Sequence, residues 1–178
     1  MSSASFADRL RAIPLSAAAF AISLVAALTL AGAWFFEIVL GLEPCPLCLD
    51  QRIPYYIAVP LGLLLGLAAR STSMKRLAQM GLLLLGAVML VGAGYGVYHS
   101  GVEWGFWEGP ASCSGGNPAA PVGNILSSLK ATTRVVPCTE AAWRFLGLSL
   151  AGYNVLIAGA LSALAFWTAF ARAGRVSR

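Results

Sequence analysis

This 178-residue chain has little charge: Lys, Arg, Asp and Glu together make up 11% of it, against 58% hydrophobic residues. Soluble domains carry about 25% charged residues, so this chain has too few polar groups to cover a water-facing surface. Histidine occurs once, at His99, and only four cysteines are present. A phosphate-binding loop is excluded as well: the one Gly-rich run, GAGYG (92–96), precedes no strand–turn–helix pattern.

The hydrophobic residues fall into four uncharged blocks. They are IPLSAAAFAISLVAALTLAGAWFF (13–36), IPYYIAVPLGLLLGLAA (53–69), LAQMGLLLLGAVMLVGAGYGVY (77–98) and FLGLSLAGYNVLIAGALSALAFWTAFA (145–171). A membrane-crossing helix needs about 20 apolar residues, with a range of roughly 17–25, and each block meets this, the second barely. The expected fold is an all-α membrane protein, a four-transmembrane-helix bundle in one membrane domain (1–178). Its spans are placed at about 14–36, 53–69, 77–98 and 145–171. A cleaved signal peptide is the competing reading for the first block, given Arg9, Arg11 and the small residues AGA at 31–33. Its apolar run is too long for one and continues through Trp34-Phe35-Phe36.

Four spans place both termini and the 70–76 connection on one side. That side holds eight of the twelve basic residues, and the other holds six of the seven acids. Basic flanks stay in the cytoplasm, so segments 37–52 and 99–144 face outward. The net charge of +5 is therefore a topology signal, and nucleic acid is not expected as a partner. Within the second loop, Val122, Ile125, Leu126 and Leu129 fall on one helical face, which predicts a short amphipathic helix on the membrane surface.

All four cysteines, Cys45, Cys48, Cys113 and Cys138, lie in the outward segments, one pair per loop. In an oxidising compartment they form disulfides. Three pairings are open, of which Cys45–Cys48 with Cys113–Cys138 is the simplest. A C-x-x-C closes too short a ring to brace a loop, so redox chemistry is favoured over structural bridges. Zinc sites of this type use two C-x-x-C knuckles, and the second pair here is far apart, so no metal is expected. Asp50 is expected to cap the second span, with Pro54 in its first turn. That would leave Cys48 ahead of the helix's positive end, with Arg52 a turn away.

With WFFEIVLGLEPCPLCLDQR, the stretch CTEAAWRFLGLS, His99 at a span end and Cys113 after WEGPAS, the chain resembles the bacterial disulfide bond formation protein B (DsbB) family along essentially its whole length. The resemblance implies a quinone-dependent thiol oxidase of the bacterial inner (cytoplasmic) membrane, with both termini cytoplasmic and the loops 37–52 and 99–144 periplasmic. Its partners would be a DsbA-like periplasmic thiol oxidase, membrane lipid and quinone, a system that keeps the periplasm oxidising. Carried over by position, the reduced partner attacks Cys113, Cys138 exchanges with Cys45, and Cys48 beside Arg52 passes electrons to ubiquinone or menaquinone. His99 is expected to contact the quinone or shuttle protons. Two rivals remain: a vitamin-K-epoxide-reductase-like oxidoreductase, which keeps its C-x-x-C near the end of a late span, and a structural membrane subunit with stabilising disulfides. Glu37 reads as a boundary residue, Trp104 and Trp107 as interfacial anchors, and Tyr153 and Asn154 as bundle hydrogen-bonding groups.

Overall fold

The computed structural model describes residues 13–113 and 136–176; the expected surface helix at 122–129 lies outside the described residues. Apart from one small hairpin the fold is helical. Helix α1 spans Leu15–Ile38, a short α2 covers Pro46–Asp50, α3 Ile53–Ala68, α4 Lys75–Glu103 and α5 Leu150–Val176. Three of these, over Leu15–Ile38, Lys75–Glu103 and Leu150–Ala171, are long and apolar enough to cross a membrane. At 16 residues α3 is about 24 Å long, shorter than a bilayer core of about 30 Å.

The four longer helices pack side by side, α1 on α3, α3 on α4, α4 on α5, with α5 also touching α1. Small residues set how closely they approach. A Cβ at Gly62 would lie 2.9 Å from the Ala19 carbonyl oxygen of α1, and one at Gly96 would lie 3.1 Å from the Ala151 carbonyl oxygen of α5. Close packing of the Gly-rich α4 is thus realised. Tyr55, Ile22, Leu82, Leu85 and Met89 fill the interior, whereas Leu28, Leu64, Leu84 and Leu156 are exposed around the outside. An apolar exterior around a packed interior suits hydrocarbon as solvent, where backbone polar groups must be satisfied within helices.

Several polar side chains inside the bundle are paired across helices. The Tyr55 hydroxyl donates to Asn154 Oδ1 at 2.6 Å, and Asn154 Nδ2 donates to the Gly92 carbonyl at 3.0 Å. Ser23 donates to the Val59 carbonyl at 2.7 Å. Asn154 is therefore the interhelical group that its position suggested.

Two helix boundaries differ from the sequence expectation. The third apolar block continues as helix to Glu103, which puts His99 inside the last turns of α4. The fourth block does not begin as helix at 145. Strands β1 (Arg144–Phe145) and β2 (Leu148–Ser149) pair antiparallel, with Arg144 opposite Ser149 and Phe145 opposite Leu148. The connecting Leu146 and Gly147 both have positive φ, 49° and 83°, as a tight primed hairpin turn demands. Apolar content marked this stretch as span, and the backbone freedom of Gly147 made it a turn.

Candidate functional site

The site is built at the end of the bundle where α2, the start of α3 and the last turns of α4 meet. Pro46 opens α2 at its first position, where its fixed φ and missing N–H cost nothing. Cys45 is the N-cap, and its sulfur accepts a hydrogen bond from the Cys48 backbone N–H at 3.3 Å, the place usually taken by a Ser or Asp oxygen. This corrects the sequence expectation. Asp50 ends α2 and caps nothing, α3 has no side-chain cap, and the sulfur at a helix start is that of Cys45, not Cys48. Pro54 does lie in the first turn of α3.

Cys45 and Cys48 are free thiols with sulfurs 2.8 Å apart. His99 Nε2 lies 3.6 Å from the Cys45 sulfur, and Gln51 Nε2 donates to His99 Nδ1 at 2.6 Å. With Nδ1 accepting, the imidazole keeps its hydrogen on Nε2, the side facing Cys45. The hydrogen bond from the Cys48 thiol, opposed by burial and aided by His99, holds the Cys45 pKa down to about 5. Cys48 is pushed the other way, first by its bond to Cys45 and then by burial. The reduced pair is thus one thiolate, Cys45, and one thiol, Cys48.

That division is measurable. Cys45 carries its charge above about pH 5 and loses it as the pH falls below. In the reduced protein, alkylation of Cys45 is expected to fall to half near that pH. At pH 7 its thiolate fraction should exceed that of an ordinary thiol by about 100-fold at most. Cys48→Ala removes the main stabilising hydrogen bond and should move the midpoint upward. A midpoint that stays put would contradict the assignment.

Cys113 and Cys138 form a disulfide with Cα atoms 5.2 Å apart, and both are buried beside Cys45, Leu47 and Val102. The Cys138 sulfur, the Cys45 sulfur and a His99 ring nitrogen lie within 4.8 Å of one another. Such a group has metal-ligand donors, but Cys138 is engaged in its disulfide. What the arrangement offers chemically is thiol–disulfide exchange, because a thiolate faces a disulfide sulfur at close range.

Next to these sulfurs is an apolar pocket of about 440 Å³, lined by Ala33 and Phe36 of α1, Cys48, Arg52, Tyr55, Trp143, Phe145 and Asn154 among others. Phe36 and Trp143 have ring centroids 5.2 Å apart, and Trp143 stacks on Phe145 at 5.7 Å. Arg52 donates to Glu37 Oε2 at 2.5 Å and lies 5.7 Å over the Trp34 ring. The sequence placed Arg52 as a charge near Cys48; both line this pocket, and the direct partner of Arg52 is the carboxylate of Glu37, the residue read as a boundary group. His99 faces Cys45 and does not line this pocket. Of the two expected anchors, Trp107 donates to the Tyr98 carbonyl at 2.8 Å and Trp104 is exposed.

Three polar residues escaped sequence reasoning, Gln51, Tyr55 and Glu103, and for Glu37 the partner was missed. Glu37 pairs across 15 positions and Gln51 across 48, separations that no local pattern encodes. Glu103 had a signal, since it lies four residues beyond His99 on one helix, 3.8 Å from its Nε2.

An apolar helical protein with a C-x-x-C dithiol packed against a second cysteine pair, beside an apolar pocket, is a membrane protein built for thiol–disulfide chemistry. The family model described as disulfide bond formation protein DsbB matches residues 16–168, and the chain belongs to that family. Among its relatives, a disulfide bond formation protein B of Methylococcus capsulatus is 35% identical over 158 residues, 82% of this chain and 90% of its own. One from Xylella fastidiosa is 32% identical over 145 residues, covering 79% and 82%. A third, from Albidiferax ferrireducens, is 29% identical over 160 residues, covering 86% and 87%. No solved structure matches.

Proposed function

We propose that this protein is a quinone-dependent thiol oxidase that reoxidises a DsbA-like, thioredoxin-fold dithiol protein in the bacterial periplasm. In this reading α3 is the fourth membrane crossing, short because α2 and the cysteine loop complete the outer layer. Both termini are cytoplasmic, and the cysteine end of the bundle faces the periplasm. The observation that carries the reading is the meeting of both cysteine pairs at one buried point, with Cys48 in the wall of an apolar pocket.

The exchange runs in bond-by-bond steps. A thiolate of the reduced partner attacks Cys113, breaks the Cys113–Cys138 bond and leaves a mixed disulfide and a Cys138 thiolate. The partner's second thiol closes its own disulfide and releases Cys113. Cys138 then attacks Cys45 of the oxidised Cys45–Cys48 pair and displaces Cys48. Cys113 re-forms its bond to Cys138 and releases Cys45. Two electrons now reside on the Cys45/Cys48 dithiol, the pairing state described above, with Cys113–Cys138 bonded.

The pocket residues fit a flat, largely apolar carrier. Phe36, Trp143 and Phe145 give aromatic walls, and Arg52, Gln51, Tyr55 and Asn154 supply polar groups at the lining. A bound quinone supplies a two-electron, two-proton sink, and ubiquinone and menaquinone share that chemistry. Cys48 is the sulfur at this wall, while Cys45 faces the second cysteine pair.

Purified protein mixed with short-chain ubiquinone and a reduced DsbA-like partner should form one quinol per partner disulfide. With a reduced partner whose second active-site cysteine is replaced by alanine, that partner should be trapped on Cys113 of the intact protein as a mixed disulfide, with Cys138 released as the thiolate. Absence of quinol formation in the intact protein would remove the oxidase reading, and absence of the adduct would overturn the order of exchange.

A further inference from the structure

Glu103 has no part in the relay described above, yet its surroundings are unusual. Its side chain is 3% exposed, and its Oε2 has no hydrogen-bond partner among the described residues. Burying an unpaired carboxylate oxygen is costly. Its Oε1 sits 3.8 Å from His99 Nε2. Glu103 also lines a second, small cavity of about 20 Å³ together with Cys45, Cys48 and His99. A space of that size holds about one water molecule.

The dithiol poses a proton problem at this spot. The Cys45 sulfur accepts from the Cys48 thiol, the Cys48 backbone N–H and His99, so one proton remains on the pair and Cys48 carries it. That proton must leave when the Cys45–Cys48 bond forms. His99 has no free lone pair, because Nδ1 accepts from Gln51 and Nε2 keeps its hydrogen. Cys138 is in a disulfide, and Glu37 Oε2 is taken by Arg52. Glu43 and Glu140 reach the small cavity but are exposed to solvent. Among the described residues, only Glu103 combines burial, a bare oxygen and a shared cavity with the two sulfurs. Its charge also helps hold Cys48 protonated, after the larger influences of Cys45 and burial.

We propose that Glu103 is the proton acceptor for Cys48 during closure of the Cys45–Cys48 disulfide, reached across the small cavity; this rests on the oxidase reading for the identity of the electron acceptor. In balance, the Cys45 thiolate, the Cys48 thiol and the Glu103 carboxylate become a disulfide and a carboxylic acid, and two electrons pass to the quinone. The proton then leaves Glu103 for water at the side where Glu43 and Glu140 are exposed.

Two arms test this. The first is free of quinone and uses full-length protein carrying Cys113→Ser and Cys138→Ser, whose remaining thiols are Cys45 and Cys48. Dithiodipyridine releases one chromophore when Cys45 attacks and a second when Cys48 closes the ring. Glu103→Gln should slow the second step about 100-fold, the scale of a lost general base, and leave the first step in place as a check on folding. Glu103→Asp should restore most of the rate, and Glu43→Gln and Glu140→Gln should change neither step. The second arm repeats the series as single-turnover quinol formation in otherwise intact protein. The proposal falls if Glu103→Gln leaves the second step unchanged or slows both steps equally. It also falls if Asp is as slow as Gln, or if an exposed glutamate reproduces the loss. Should intact protein form no quinol while the first arm keeps its Glu103 dependence, the oxidase reading fails and the proton role stands.

Discussion

Cys48→Ala protein is expected to lose quinol formation by more than about 1000-fold, the scale on which removal of a covalent participant is felt, and to trap a Cys45–Cys138 bond. Both outcomes follow from one geometry. Cys48 is the cysteine at the wall of the large pocket, and Cys45 has a Cys138 sulfur within 4.8 Å. Without Cys48, Cys45 has no neighbour to close on except Cys138, so the exchange stops halfway with Cys113 freed. A peptide map under non-reducing conditions reads this directly. Finding Cys113–Cys138 intact and Cys45 alkylatable would show that the two pairs do not communicate as described.

Arg52→Met is expected to raise the KM for quinone at least about 10-fold while leaving attack of the partner on Cys113 unaffected. Arg52 is 11% exposed and Glu37 30% exposed, so methionine would leave a partly buried carboxylate without its cation at the pocket edge. Removing one member of such a pair generally costs more than removing both. The double variant Arg52→Met/Glu37→Gln should therefore recover part of the thermal stability that Arg52→Met loses. Lysine is expected to be a poor substitute, since it lacks the planar face that guanidinium lays over Trp34. Equal KM values across the series would separate the ion pair from quinone binding.

Much of this architecture is legible in the sequence. Uncharged blocks of Leu, Ala and Gly announce helices in lipid, and α1, α3 and α4 begin within two residues of the apolar runs that predict them. One cysteine pair per loop announced redox chemistry. What escaped was orientation at the scale of single atoms. Spacing placed Cys48 near a helix start, whereas Pro46 starts the helix earlier and hands that position to Cys45. The residue that opposes Arg52 lies on α1, and the amide that orients His99 comes from the turn before α3. Those contacts are products of helix packing, which follows from where Gly62 and Gly96 let backbones approach. Leu146 misled in the opposite sense: its side chain reads as span, while its backbone is in a turn.

The large pocket draws its walls from both α1 and α5, the first and last helices of the row. A carrier entering there travels in two dimensions. Turnover would then scale with its mole fraction among the lipids, and stirring more of it into the surrounding buffer would change nothing once the bilayer is saturated.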